Sequence, residues 1–210
     1  MAPAPPSPSP MMLETRSQAT ISRILDVART LFLTKSYADV SMASLAAGAD
    51  VTKGALYHHF VGKEELYLAL LHRDLKSKGQ LFRQSVEASG TARQRLARLT
   101  RDFLTLPREE RALIRLVRRD INIFHDPVRA NLISAYQEAL PNCVASIISD
   151  GIRAGELRPQ DTRLASWHFV GMVEVTLTPY ANGVLGDVTA KLDHVLDLFF
   201  SGSAASPTTS

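Results

Sequence analysis

The sequence predicts an all-α protein of nine helices, and three observations carry that expectation. Between the two ends, apolar residues recur at intervals of three and four almost throughout, the period of an amphipathic helix. No sustained alternation of apolar and polar residues marks a half-buried strand, and the β-prone run VEVTL at 173–177 sits inside a longer helical pattern. Glycine, proline and capping residues fall between the periodic stretches at helix-length intervals.

Five of the first ten residues are proline and SGSAASPTTS closes the chain, so residues 1–14 and 202–210 are expected to be unstructured tails. Ile21, Ile24, Leu25, Ala28, Leu31 and Phe32 share one face and give a first helix over 17–35. Ser41 is placed to cap a short second helix with Leu45 and Ala46 inward, and the break over 47–50 offers Gly48 for a left-handed turn. Thr52 caps a third helix over 53–59, Gly62 ends that unit, and a longer helix covers 63–87. Gly90 and Thr91 then precede a helix over 92–106, and Pro107 separates it from another over 109–123. Asp126 and Pro127 form a cap-and-first-turn signature for a helix ending near Gly155, with a kink or break predicted at Pro141. After the loop GELRPQD, two helices cover 161–180 and 187–200, with Asn182 and Gly183 between them. Three helices in 15–62 make a first domain, and six in 63–201 make a second.

Composition narrows the functional classes. At 210 residues and 45% hydrophobic, the chain has room for a buried core in one or two domains. No run approaches the roughly 18 uncharged apolar residues of a membrane span, and the first residues lack the basic and apolar regions of a secretory signal. Cys143 is the only cysteine, which excludes an internal disulfide and a thiolate metal cluster. A cytoplasmic location follows as the expectation, with translation starting at Met1 or at Met11/Met12. Charge is uneven: residues 72–119 hold thirteen basic and five acidic groups, a net of +8, whereas 120–200 carry a net of −5. Solvated helix faces account for such runs, and an anionic partner near the middle of the chain is the sharper reading.

Residues 41–60 read SMASLAAGADVTKGALYHHF: a short helix, a glycine-containing turn and a second short helix, the parts of a helix-turn-helix. In that motif the N-terminal part of the second helix enters the DNA major groove. Gly54 and Ala55 are small enough to bring backbone close to bases, and glycine is otherwise a poor choice inside a helix, costing about 1 kcal/mol relative to alanine. Tyr57, His58 and His59 fan over more than half the circumference and cannot all be core, whereas Leu56 and Phe60, four apart, face inward. Lys53 in the first turn opposes the helix dipole unless a phosphate lies nearby. Adjacent histidines diverge by about 100° on a helix, so no metal site is expected, and no cofactor.

At these residues the sequence resembles the TetR (tetracycline-repressor) family of transcriptional regulators. The matching elements are ILDVARTLF, Tyr37, the run from Ser41 to Phe60, and GKEEL. The resemblance implies that Lys53, Gly54, Ala55, Tyr57 and His58 face bases or nearby backbone. It also implies that Thr52, His59 and Lys63 chiefly contact phosphates, with Ser41 on the same DNA-facing side. It further implies a C-terminal domain that dimerises through the last two helices and holds an inducer; the stripe those helices carry, Leu164, Trp167, Gly171, Val175, Leu192, Val195, Leu196, Phe199 and Phe200, is expected to be in part the core of one subunit. The partners so implied are a near-palindromic double-stranded operator, a small-molecule inducer and a second copy of the chain, with no membrane. One departure is that the DNA-binding segment is scarcely basic and follows a proline-rich tail, so no basic arm into a minor groove is expected.

Phe103, Leu116, Phe124, Tyr136, Leu140 and Trp167 supply apolar lining for an inducer cavity, and Arg115 and Arg119, with Arg118 between, supply positive charge. An amphipathic anion, an acyl-CoA or fatty acid, fits that pairing, while Asp120 and Glu174 leave a cationic ligand open. The helix over 63–87 joins the two domains and is the natural lever between inducer and DNA. Enzyme motifs are absent: there is no G-x-S-x-G, H-E-x-x-H, P-loop or dinucleotide fingerprint. The alternative is a helical small-molecule-binding protein without specific DNA binding, which the basic-poor 13–64 segment favours.

Overall fold

The computed structural model describes residues 10–203, with side-chain environments for 16–201. Among the described residues there are eleven α-helices, one short 3-10 turn and no strand. The remaining stretches of the two expected tails, 1–9 and 204–210, lie outside the described residues. Residues 10–14 and 202–203, expected in those tails, are helical instead. The chain forms two compact units that divide between Leu71 and His72.

The first unit is built from α1 (Pro10–Thr34), α2 (Met42–Gly48), α3 (Lys53–His59) and the opening turns of α4 (Lys63–Glu87). Ile24, Leu25, Ala28 and Phe32 bury the inner face of α1 as their spacing requires, α1 packs on α2 and α2 on α3, and Leu45, Ala46 and Leu56 of the short helices are buried too. Leu66, Tyr67, Leu70 and Leu71 of α4 are buried too, which carries the division nine residues past the expected boundary at 62. Tyr67 packs 4.3 Å from Phe32 and 5.2 Å from Tyr37, ring centre to ring centre.

Gly48 corrects one expectation. It ends α2 rather than taking the left-handed turn, which falls to Asp50 at φ 50°. What Gly48 provides is close approach: a Cβ there would stand 2.6 Å from Val27 Cγ1 of α1.

The second unit continues α4 from His72 and adds α5 (Ala92–Thr105), α6 (Arg108–Asp120), the 3-10 turn Ile121–Ile123, α7 (Val128–Ala139), α8 (Pro141–Arg153), α9 (Thr162–Val175), α10 (Pro179–Leu185) and α11 (Val188–Ser203). Two expected helices are each a pair, so eight helices stand where six were expected from 63 onward. Pro141 and Pro179 both sit in first turns, where a missing N–H costs nothing, and each starts a new helix. Asn182 and Gly183 accordingly lie inside α10 and not between helices. Asp126 does not cap α7, which has no side-chain cap hydrogen bond. Around a core that includes Phe82, Leu96, Ile147, Phe169 and Val195, α8 packs on α5, α7 and α9, and α11 packs on α5 and α9.

Candidate nucleic-acid interface and ligand cavity

The geometry of α3 is set by its two ends. Ser41 caps α2 in a reciprocal box with Ser44, each side-chain oxygen accepting the other's backbone N–H at 3.1 Å. Thr52 caps α3 by accepting from the Ala55 N–H at 3.1 Å. Within α3 only Leu56 is buried, with Phe60 just beyond it also in the core. Lys53, Gly54, Tyr57 and His58 are exposed, Ala55 and His59 half-buried, and the Tyr57 side chain is 52% exposed. A Cβ added at Gly54 would meet little but the Thr52 hydroxyl, at 3.9 Å, so this face is open. The rings of His58 and His59 meet edge to face at 5.3 Å, and among the described residues no group of histidines, cysteines and carboxylates could hold a metal.

The phosphate-facing residues divide. Ser41 and Thr52 are exposed at helix starts; the Ser41 hydroxyl donates to Ser44 Oγ at 3.3 Å, while Thr52 keeps a hydroxyl donor beyond its cap. Lys63 is already engaged, donating to the Tyr37 carbonyl at 2.8 Å and the Ala38 carbonyl at 3.4 Å, with its ammonium 4.4 Å over the Tyr37 ring. Glu64 and Glu65 fill the first turn of α4, and Glu65 Oε2 accepts the Val61 N–H at 2.6 Å, so that helix start already holds negative charge.

In the second unit, a small apolar pocket lies among α5, α6, α8 and α9, bounded by Leu99, Phe103, Ile114, Leu140, Phe169 and Val170 and leaving about 20 Å³, room for one water-sized group. Two polar atoms in its wall, Thr100 Oγ1 and Glu174 Oε1, are buried with no hydrogen-bond partner among the described residues. Each such atom costs about 1–3 kcal/mol. The other Glu174 oxygen accepts from Arg118 Nη1, an ion pair joining α9 to α6. Arg118 and Tyr136 line a neighbouring groove of about 280 Å³ with Gln137, Trp167 and Gly171, and Val170 is common to both spaces. Burial, then the Glu174 carboxylate, push the Tyr136 phenol up to about 12, and the hydrogen bond that Arg118 donates to Glu174 holds the Arg118 guanidinium above its ordinary value.

The residues expected to hold the inducer therefore do not converge on one cavity. Phe103 and Leu140 line the small apolar pocket, and Tyr136 and Trp167 the groove. Arg115 lies with Arg108 and Arg111 along a separate cleft of about 430 Å³ beside Leu177 and Pro179. Leu116 and Phe124 are buried but line none of these spaces, and Arg119 is paired with its neighbour Asp120 at 2.6 Å through two nitrogens. Glu174 was already expected near the inducer, but Thr100 as a polar lining residue was not legible, because only packing shows which helix faces meet. The apolar stripe of the last helices divides as expected between core and surface: Leu192, Val195, Leu196 and Phe199 are core of the subunit itself, while Leu164, Trp167 and Val175 of α9 are exposed.

Residues 24–70 match the family described as bacterial regulatory proteins, tetR family, and 89–183 match the tetracyclin repressor-like C-terminal domain. The transcriptional regulator UidR of Escherichia coli strain K12 is 26% identical over 182 residues, covering 85% of this chain and 86% of its own. The crystal structure of the regulator FadR of Bacillus subtilis in complex with stearoyl-CoA is similar in fold at TM-score 0.73, with 22% identity over 86% of this chain and 98% of that one. AibR in complex with isovaleryl coenzyme A and operator DNA is similar at TM-score 0.72, with 21% identity over 86% and 98%.

Proposed function

The chain belongs to the TetR family of bacterial transcriptional regulators, and we propose that it is a ligand-responsive repressor, holding a near-palindromic operator as a homodimer and released by an acyl-CoA. The observation that carries the DNA-binding half is the α3 surface: one inward anchor, Leu56, and an open ridge of Lys53, Gly54, Tyr57 and His58. Thr52 and one remaining Lys63 donor supply phosphate contacts around it, and Ser41 does so once its hydroxyl turns from Ser44 Oγ. A protein acting on chromosomal operators works in the cytoplasm.

Dimerisation is supported by apolar exposure on the last helices: Leu164, Trp167 and Val175 of α9, Tyr180 and Val184 of α10, and Leu198 of α11. Gly171, midway along α9, has open space where a Cβ would stand, which suits close approach of a partner helix. A two-fold dimer presents α3 twice, and half-site spacing then follows the distance between the copies.

For the inducer, α6 supports an amphipathic anion. It turns Arg108, Arg111 and Arg115 to the cleft of about 430 Å³, where Leu177 and Pro179 lie beside them, so one cleft offers apolar surface and guanidinium groups for phosphates. Two structures of similar fold hold coenzyme A thioesters. Inducer binding then favours a conformation in which the two α3 helices are misplaced for the operator, and a coupling of about 1–3 kcal/mol suffices for regulation.

Fluorescence anisotropy of a bound operator duplex tests this reading. Palmitoyl-CoA is expected to release the duplex, and coenzyme A alone is not. Retention of the duplex at saturating palmitoyl-CoA contradicts the inducer assignment.

A further inference from the structure

We infer that the cleft beside α6 is a polyphosphate site, and that Lys191 fits it to that task by turning the Asn182 amide to the ligand as a donor. The inference rests on the reading above that this cleft seats the inducer's phosphates, and it adds a charge requirement and two residues. The space of about 430 Å³ is lined by Arg108, Arg111 and Arg115 of α6, and by Leu177, Pro179 and Asn182 from the turn after α9 and from α10. No carboxylate lines it, and among the described residues none pairs with any of the three arginines. Glu110, between Arg108 and Arg111 in sequence, is held instead by Lys78 of α4 at 2.9 Å. Arg111 gives one N–H to the Leu104 carbonyl and keeps the rest of its guanidinium for the cleft.

Lys191 of α11 is the second observation. It is 9% exposed, it has no carboxylate partner among the described residues, and its ammonium donates to Asn182 Oδ1 at 2.5 Å. An ammonium has donors and no acceptor, so it fixes which end of the amide it meets. The Asn182 oxygen is thereby taken. Its exposed NH2 remains, one hydrogen directed to the Leu177 carbonyl at 3.4 Å and the other left for the cleft. Every polar side chain lining the cleft then offers donors alone. Such a wall matches a ligand of acceptors and negative charge. Phosphate oxygens accept from forked guanidinium groups, and linked phosphates balance charge that a single one leaves. A ligand ammonium is repelled, and a ligand hydroxyl finds no side-chain acceptor for its proton.

The test is isothermal titration of the full chain with inorganic phosphate, tripolyphosphate and coenzyme A. Tripolyphosphate and coenzyme A are expected to bind tenfold or more tightly than phosphate, and Arg108→Gln combined with Arg115→Gln cuts that preference below threefold. Asn182→Ala weakens tripolyphosphate binding threefold or more. Lys191→Met does the same in the parent but adds less than twofold to Asn182→Ala, because Lys191 acts through the amide. Asn182→Asp keeps a partner for Lys191, turns an acceptor to the ligand and removes the preference; a preference retained there overturns the inference even where Lys191→Met fails to fold. Equal affinities for phosphate and tripolyphosphate in the parent overturn it too, while release of the operator by palmitoyl-CoA leaves the acyl-CoA reading standing. A full Lys191→Met effect in Asn182→Ala overturns the role given to Lys191. Tight tripolyphosphate binding with an operator that palmitoyl-CoA does not release overturns the acyl-CoA reading and supports the polyphosphate site.

Discussion

Lys63 holds its ammonium 2.8 Å from the Tyr37 carbonyl oxygen and 4.4 Å from the centre of the Tyr37 ring. This ties the start of α4 to the loop after α1, and it spends two of three ammonium donors on Tyr37 and Ala38. Lys63→Ala is therefore expected to lower stability by about 1–2 kcal/mol, from the lost ring and carbonyl contacts, as well as weakening operator binding evenly across sequences. Thermal unfolding reads the first effect. Operator affinity against salt concentration reads the second, where the slope becomes shallower by up to about one. An unchanged slope with lowered stability would make Lys63 a structural residue alone.

Tyr57 is in the opposite position, exposed on α3 and away from the core. Tyr57→Ala is expected to change folding stability by no more than about 0.5 kcal/mol. Its operator affinity falls by about 1–3 kcal/mol, the range for loss of a base-contacting side chain. Sedimentation should show the oligomeric state unchanged.

Gly48→Ala sets two effects against each other. Alanine gains about 1 kcal/mol of helix propensity, but its Cβ would lie 2.6 Å from Val27 Cγ1, and overpacking of this kind costs about 1–3 kcal/mol. The variant is expected to melt below the parent. Val27→Ala in the same chain removes the obstructing methyl, so the double variant should recover part of the loss that Val27→Ala and Gly48→Ala would sum to.

Stability in acid depends on Asp150, which binds Arg95 at 2.8 Å and Arg153 at 3.0 Å. The Arg95 hydrogen bond, with Arg153 in support, holds the Asp150 carboxyl below its ordinary value. A carboxylate depressed in the folded state contributes stability above its unfolded value of about 4, and that contribution disappears as pH falls through the lower folded value. Melting temperature should therefore fall below about pH 4, and Asp150→Asn should be less stable at pH 7 but show a flatter decline.

Much of the first unit was legible because its determinants are local. Caps at Ser41 and Thr52, the inward pair Leu56 and Phe60, and the outward Tyr57–His58 run all follow from neighbours within four residues. Gly48 was misread because its role depends on Val27, which comes from another helix. In the second unit the continuous apolar pattern over 161–180 concealed the new helix start at Pro179, where a first-turn proline fits a helical register. The cavity was least legible. Selecting apolar and arginine side chains by type picked residues that line three separate spaces, and Thr100 joins Phe103, Leu140 and Glu174 around one of them only because α5, α8 and α9 meet there.

Selection of random-sequence duplexes against the purified chain probes the DNA-facing role of α3 most directly. The account predicts recovery of a near-palindrome, with half-sites about one helical turn or a multiple apart, that Tyr57→Ala binds poorly. Recovery without sequence preference, or a preferred site that Tyr57→Ala binds as well as the parent, would contradict it.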